Sequence, residues 1–268
     1  MGNGEDSVTV DLFHVVEQVI KNTHCIVAHA NLVQVRKADG RIQIHLRKVF
    51  LSFSETENLP ARARTVLTGN PVRQSILAIR HGNEHSSSGQ RRVLVLGGSQ
   101  GAKGINEAVI QALPALRAAG FTLRHQTGEQ DFEKVRQAYA ERSLHGCVEP
   151  FIADMARAYS ECDMVLCRAG ATTLAELGVA GKPSLLVPFP YATGDHQTKN
   201  ARAMERLGAS MVISQNQLAD LSLARILDDV FNLPGKLREM AVAAKAWGRP
   251  GAAADIVAEL RRLAGIPV

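Results

Sequence analysis

The stretch Arg92-Val-Leu-Val-Leu-Gly-Gly-Ser-Gln-Gly-Ala102 holds the residue types that grip a phosphate. Val93–Leu96 is an unbroken apolar run, the composition of a strand buried on both faces. Gly97, Gly98 and Gly101 then permit a sharp turn and leave room for a ligand against the main chain. Ser99 or Gln100 adds side-chain hydrogen bonds. Beyond Lys103, Ile105, Val109, Ile110 and Leu113 fall on one helical face. A helix starting there turns its unpaired N–H groups and the positive end of its dipole toward an anion. The same turn would serve merely to reverse the chain, so alone it does not establish a phosphate site. The spacing is not GxGxxG, which argues against a nicotinamide cofactor and an oxidoreductase.

Three further loops carry chemistry. In Pro150-Phe-Ile-Ala-Asp-Met155, Ile152 sits where backbone groups can read the edge of a flat base, although Phe151 and Ile152 also suit a core. In Arg168-Ala-Gly-Ala-Thr-Thr-Leu-Ala-Glu176, Gly170 and Ala171 allow close approach, and Thr172 or Thr173 suits a helix cap. Glu176 follows about one turn later. Its carboxylate is placed either to accept both hydroxyls of a ribose or to close a capping box with Thr173. The loop Pro188-Phe-Pro-Tyr-Ala-Thr-Gly-Asp-His-Gln-Thr-Lys-Asn200 is long and polar, as functional connections tend to be. Asp195, His196 and Gln197 suit sugar hydroxyls, and Asp195 equally suits a cap for the next helix. His81 and His85 lie four apart without the glutamate of HExxH, so no metal site is expected there.

These loops need a scaffold, and the pattern supplies one. Strands are expected at Val93–Leu96, Thr122–His125, Cys147–Glu149, Met164–Cys167, Ser184–Val187 and Ser210–Ile213. Helical patterns lie between them, at Ile105–Ala119, Glu129–Arg142, Ala153–Ser160, Thr172–Ala180 and Thr198–Leu207. Three more follow, at Gln217–Phe231, Lys236–Trp247 and Ala252–Leu263. The fold class is therefore α/β, a Rossmann-like parallel sheet whose ligands bind beyond the carboxyl ends of its strands. Upstream, residues 8–20 have an amphipathic helix pattern and Cys25–Ala28 a strand pattern. The alternation in Arg41–Phe53 shifts phase midway, the mark of a bulge or of two strands. Asn83–Gly89, rich in Ser, reads as a connector.

Composition narrows the partners. The formal charge of +5 and the pI near 9.2 fit either a plain soluble basic protein or attraction to anionic lipid or polyphosphate ligands, and the basic residues are too dispersed to decide between them. Aromatics at 4% are too few for base-stacking platforms, so no nucleic acid partner is expected. Cys25, Cys147, Cys162 and Cys167 form no CxxC pair and read as reduced thiols. The polar N-terminus lacks the form of a signal peptide, and no apolar run reaches membrane-span length. Membrane association is expected to be peripheral.

Four motifs occur in a telling order: Thr68-Gly-Asn-Pro-Val-Arg73, Gly97-Gly-Ser-Gln-Gly-Ala102, Cys167-Arg-Ala-Gly-Ala-Thr-Thr-Leu-Ala-Glu176 and Asp195-His-Gln-Thr-Lys-Asn-Ala201. With them the chain resembles the MurG family of peptidoglycan N-acetylglucosaminyltransferases, members of glycosyltransferase family 28 with a two-domain GT-B fold. The resemblance runs from about Arg47 to the C-terminus. It implies inverting transfer of GlcNAc from UDP-GlcNAc to undecaprenyl-pyrophosphoryl-MurNAc-pentapeptide (lipid I to lipid II), on the cytoplasmic face of the bacterial inner membrane. It also implies that Arg73 and Ser99 hold the donor's phosphates or sugar and that Ile152 contacts uracil through its backbone. Ala171, Thr172 and Thr173 would line the diphosphate, Glu176 the ribose, and Gln197 the GlcNAc hydroxyls. No cofactor or metal is expected, and no DxD-type carboxylate pair occurs.

The first 46 residues depart from that family. They hold neither its GGTGGH-like glycine loop nor its HEQN-like segment. The expected division is thus a truncated or divergent acceptor-domain remnant (1–69), a linker (70–90) and a UDP-GlcNAc-binding domain (91–268). No general base is assigned. The alternative is a UDP-GlcNAc-binding module, inactive alone, whose acceptor domain is missing or supplied by a partner chain.

Overall fold

The structure is a computed structural model that describes residues 25–26, 33–38, 41–46, 48–54, 64–79, 90–98, 101–144, 146–220 and 222–266. The expected helix at 8–20, the connector at 83–89, His81 and His85, and Ser99 lie outside the described residues. The chain divides into two compact units, Met1–Gly69 with Ala254–Val268, and Asn70–Ala253.

In the first unit, β1 (Cys25–Ile26) runs antiparallel to β4 (Lys48–Leu51), which pairs in parallel with β5 (Arg64–Leu67). The strands β2 (Val33–Ala38) and β3 (Arg41–Leu46) form a separate antiparallel pair. The phase shift in the sequence therefore marks two strands with different partners, β3 and β4. Phe50 of β4 is buried against Ile256, Val66 and Leu260, and Lys48 pairs with Glu259. Ile256, Glu259 and Leu260 belong to the last helix, which spans Ala252–Ala264.

The second unit holds six parallel strands: β6 (Arg91–Leu96), β7 (Phe121–Gln126), β8 (Gly146–Glu149), β9 (Met164–Cys167), β10 (Ser184–Leu186) and β11 (Ser210–Val212). Their order across the sheet is β11-β10-β9-β6-β7-β8. Chain order thus runs outward one way from β6 through β8, then returns to the other side of β6 for β9. That reversal is the topological switch point at which doubly wound sheets open a crevice.

The two strands at the switch point are held in register from their first residues. Val93 lies opposite Met164 and Leu96 opposite Cys167. Below them the Arg92 guanidinium grips Asp163 through two bonds, of 2.8 and 3.1 Å, and the Arg92 N–H donates to the same carboxylate at 2.9 Å. Val93 and Val95 join the main apolar core with Leu123, Met164 and Leu166. Leu94 and Leu96 are buried on the opposite face, as the two-residue period of a strand requires. Each buried Leu or Val contributes about 2 kcal/mol, so the sheet centre anchors this unit.

Helices cover the sheet: α1 (Gln74–Leu77), α2 (Lys103–Ala118), α3 (Phe132–Glu141), α4 (Met155–Glu161), α5 (Ala171–Ala180), α6 (His196–Arg206), α7 (Gln215–Asp220), α8 (Leu223–Asn232) and α9 (Lys236–Trp247). The single helix expected over Gln217–Phe231 is two. Ser222 starts the second by accepting the Arg225 N–H on its hydroxyl, an N-cap that separates it from α7. Cys162 and Cys167 are buried, and burial pushes their thiols up to about 11 and about 12, which keeps them protonated and unreactive.

A buried polar chain joins β7 to α2 and α3. The His125 ring, without exposure, meets the Asn106 side-chain oxygen through Nε2 at 3.0 Å and the Tyr139 hydroxyl through Nδ1 at 3.1 Å. Asn106 spends both amide hydrogens, on the Thr127 carbonyl at 3.0 Å and on Asp131 at 2.8 Å. Its oxygen can therefore only accept, so His125 donates from Nε2 and accepts the Tyr139 proton on Nδ1. Burial drives the His125 pKa from 6.5 to about 3. Unfolding thus takes up a proton between those values. The contribution is complete above about pH 6.5 and is lost as the pH falls toward 3. Between pH 7 and pH 5, denaturant titrations of His125→Gln are expected to lose about 2 kcal/mol less stability than those of the unchanged chain. Equal losses would show that this ring does not set the acid limit.

Candidate functional site

Beyond the carboxyl ends of β6 and β9 lies a cavity of about 460 Å³. Leu96, Gly97 and Gly98 line it from the end of β6, and Cys167 and Arg168 from the end of β9. Two helices begin beside it. Ala102 precedes α2 and Gly170 precedes α5, neither start has a side-chain cap, and neither first turn holds an acidic residue. The N–H groups and positive dipole ends of both helices therefore stay available to an anion.

The turn into α2 depends on glycine. Gly101 has φ +78°, and a Cβ there would lie 2.7 Å from the Thr127 carbonyl oxygen. The Asn106 amide bonds that same oxygen, so it cannot easily retreat. Gly98 has φ +76° but open space where its Cβ would go.

The cavity floor carries a charged pair. Glu176, only 5% exposed, accepts on Oε1 from Arg73 Nε at 3.0 Å, and Arg73 Nη2 lies 2.9 Å from the same oxygen as an ion pair. Its Oε2 accepts the Tyr159 hydroxyl proton at 3.0 Å. A carboxylate has roughly four acceptor positions, and these hydrogen bonds occupy one on each oxygen. The Arg73 side chain is half exposed, so it is the partner free to leave. Burial of an unanswered carboxylate costs several kcal/mol, which explains why both oxygens are held.

Of the sequence-predicted site residues, Arg73, Ile152, Thr172, Thr173 and Glu176 line this one cavity. Ala171 opens α5 beside them without lining it, and Thr172 accepts a 3.3 Å bond from the Asn70 amide. Ser99 lies outside the described residues. Gln197 does not line the cavity; its side-chain oxygen accepts the Phe189 N–H at 3.0 Å and ties the long loop to the start of α6.

The alternatives separate cleanly. Glu176 closes no capping box, because Gly170 precedes α5 and the carboxylate goes to Arg73 and Tyr159. Asp195 stands at the start of α6 with left-handed backbone and forms no side-chain cap there. Ile152 is buried, whereas Phe151 is 57% exposed and overhangs the cavity.

Sequence reasoning missed Tyr159 and Arg168. The first looks like an ordinary core position of α4. Arg168 donates to the Val187 and Pro188 carbonyls at 3.1 and 3.2 Å and to the Gln215 side-chain oxygen at 2.5 Å. Burial pushes this guanidinium below its ordinary pKa, and it stacks over the Phe189 ring. It anchors the loop after β10, a role visible only once the strands are side by side.

Residues 92–256 match the model of the glycosyltransferase family 28 C-terminal domain. The chain is 49% identical over 214 residues to the UDP-N-acetylglucosamine–N-acetylmuramyl-(pentapeptide) pyrophosphoryl-undecaprenol N-acetylglucosamine transferase of Nitratidesulfovibrio vulgaris (strain DP4), covering 78% of this chain and 58% of the relative. The enzyme of the same name from Syntrophotalea carbinolica is 43% identical over 222 residues, covering 82% of this chain and 61% of the relative. The crystal structure of Acinetobacter baumannii MurG superposes with a TM-score of 0.64 at 31% identity, over 81% of this chain and 60% of that one. The chain spans about 60% of the length of the relatives it matches.

Gly101→Ala is expected to lower the melting temperature clearly more than Gly98→Ala. Gly98→Ala costs only left-handed strain, about 1 kcal/mol, while Gly101→Ala must also displace the Thr127 carbonyl. Equal shifts in thermal melts would show that the Thr127 contact does not shape this turn.

Proposed function

Because the chain belongs to glycosyltransferase family 28 through its C-terminal domain, we propose that its second unit binds UDP-GlcNAc for inverting transfer of GlcNAc to undecaprenyl-pyrophosphoryl-MurNAc-pentapeptide. The observation that carries this reading is the convergence of Arg73, Ile152, Thr172, Thr173 and Glu176 on one cavity at the strand-order reversal. The diphosphate lies against the turn at Gly97–Gly98 and the two uncapped helix starts, where fixed dipoles favour negative charge. Backbone groups at Ile152 meet the uracil edge, and Glu176 accepts the ribose hydroxyls. Ser99 adds to the phosphate contacts, Ala171 to the diphosphate wall, and Gln197 serves the GlcNAc hydroxyls once its loop closes on the sugar.

Crowding at Glu176 gives the order of events. Two ribose hydroxyls must approach the carboxylate, and the Arg73 guanidinium lies against its Oε1 through both Nε and Nη2. Arg73 moves off Oε1 as the ribose arrives and turns to the diphosphate, which carries the larger charge. There it stabilises the negative charge that builds on departing UDP, as do the helix N-termini. The acceptor hydroxyl attacks the anomeric carbon as the bond to UDP breaks, and its proton passes to a general base.

The reading extends to partners. The acceptor is lipid-linked, so the protein works at the cytoplasmic surface of the bacterial inner membrane as a peripheral protein. Among the described residues no helix is long and apolar enough to cross a membrane. The second unit, Asn70–Ala253, acts as the donor domain and the first serves the acceptor, with a partner chain able to contribute there.

Calorimetric titration with UDP-GlcNAc, followed by turnover with a lipid I analogue, tests the proposal. One-site binding with product formation supports it; binding without turnover limits the chain to donor capture, and no binding overturns it. Glu176→Gln is expected to weaken UDP at least tenfold while changing pyrophosphate affinity less than threefold. Arg73→Ala is expected to weaken both, because its bond is to the diphosphate. Equal losses of UDP and pyrophosphate in the Glu176 variant would remove the carboxylate from the ribose.

A further inference from the structure

We propose that Tyr159 is a positioning residue whose hydroxyl aims the Glu176 carboxylate and so makes the pocket select a ribonucleotide over a 2′-deoxyribonucleotide. The inference deepens the proposed function and rests on its assignment of Glu176 to the ribose. Tyr159 is fully buried in α4, lines the cavity, and donates to Glu176 Oε2 at 3.0 Å. Burial and the Glu176 charge both push the phenol's pKa well upward, so the hydroxyl keeps its proton and remains a donor.

The two partners of Glu176 differ in permanence. Arg73 reaches in from an exposed position and must loosen when the ribose binds. Tyr159 is packed on all sides and cannot leave. After Arg73 shifts, the Tyr159 bond is the one described contact that still fixes the plane of the carboxylate. A carboxylate turns easily about its last side-chain bond. Held by Tyr159, it keeps one acceptor position on Oε2 and both on Oε1, set for two neighbouring hydroxyls. Released, it must be ordered by the ligand itself, and the advantage of prior orientation is lost.

Selectivity follows from the same geometry. A site built to accept a hydroxyl penalises the analogue that lacks it, because a buried acceptor is then left unanswered. A carboxylate free to turn can bond the remaining 3′-hydroxyl equally well and no longer registers the missing one. The Tyr159 hydroxyl is therefore expected to affect UDP and leave dUDP nearly untouched. A merely structural hydroxyl would affect both alike.

The test is calorimetric binding of UDP and of dUDP to the full chain, unchanged and as Tyr159→Phe, Glu176→Gln and the double variant. Tyr159→Phe keeps the ring that fills the core, and circular dichroism checks its fold. The unchanged chain is expected to prefer UDP by about tenfold or more. Tyr159→Phe is expected to shrink that preference to within about threefold through loss of UDP affinity, with no further change when added to Glu176→Gln. A preference that survives in Tyr159→Phe, or equal weakening of both nucleotides, overturns the role of Tyr159. An unaltered preference in Glu176→Gln instead overturns the ribose assignment on which the inference stands.

Discussion

Everything at the site follows from the reversal of strand order between β6 and β9. Neighbouring parallel strands in register place their carboxyl ends side by side, here Leu96 beside Cys167. The chain leaves β6 into α2 and β9 into α5, so two helix starts flank one crevice. Neither start carries its own cap or an acidic first turn. The crevice thus keeps a concentrated set of unspent N–H groups, which is the physical basis for assigning it a diphosphate.

Against that positive field the buried Glu176 is the informative exception. A carboxylate near a diphosphate site is electrostatically unfavourable unless something else needs its acceptor atoms. Arg73 neutralises it from one side and Tyr159 holds it from the other. Neutral hydroxyls of a sugar satisfy the same atoms without adding charge. Arg73 can then exchange one anion for another, so the ligand's charge is met by a cation already in place.

Much of this arrangement was legible in the sequence. The Val93–Leu96 run, the glycines after it and the strand–helix alternation specified a parallel sheet with a glycine turn leading into a helix, because periodicity and turn chemistry are local signals. The observed strands lie within a few residues of the expected ones. The roles of Tyr159 and Arg168 were not legible, since a core tyrosine and a rim arginine gain their meaning from neighbours 17 and 47 positions away. The capping-box spacing of Thr173 and Glu176 was a false local signal, overridden when Gly170 started the helix and Arg73 reached the carboxylate. Helix α8 shows the reverse, since Ser222 was a readable cap within a pattern taken as continuous.

The family match covers residues 92–256, most of the unit that holds the cavity, and the chain spans about 60% of the length of its relatives. A crystal structure of the chain with UDP-GlcNAc tests the central claim most directly. The expected result has both ribose hydroxyls within 3.2 Å or so of Glu176, the diphosphate against the starts of α2 and α5, and Arg73 turned from the carboxylate. A nucleotide bound elsewhere, or bound here with Arg73 still held against Glu176 Oε1, would contradict it.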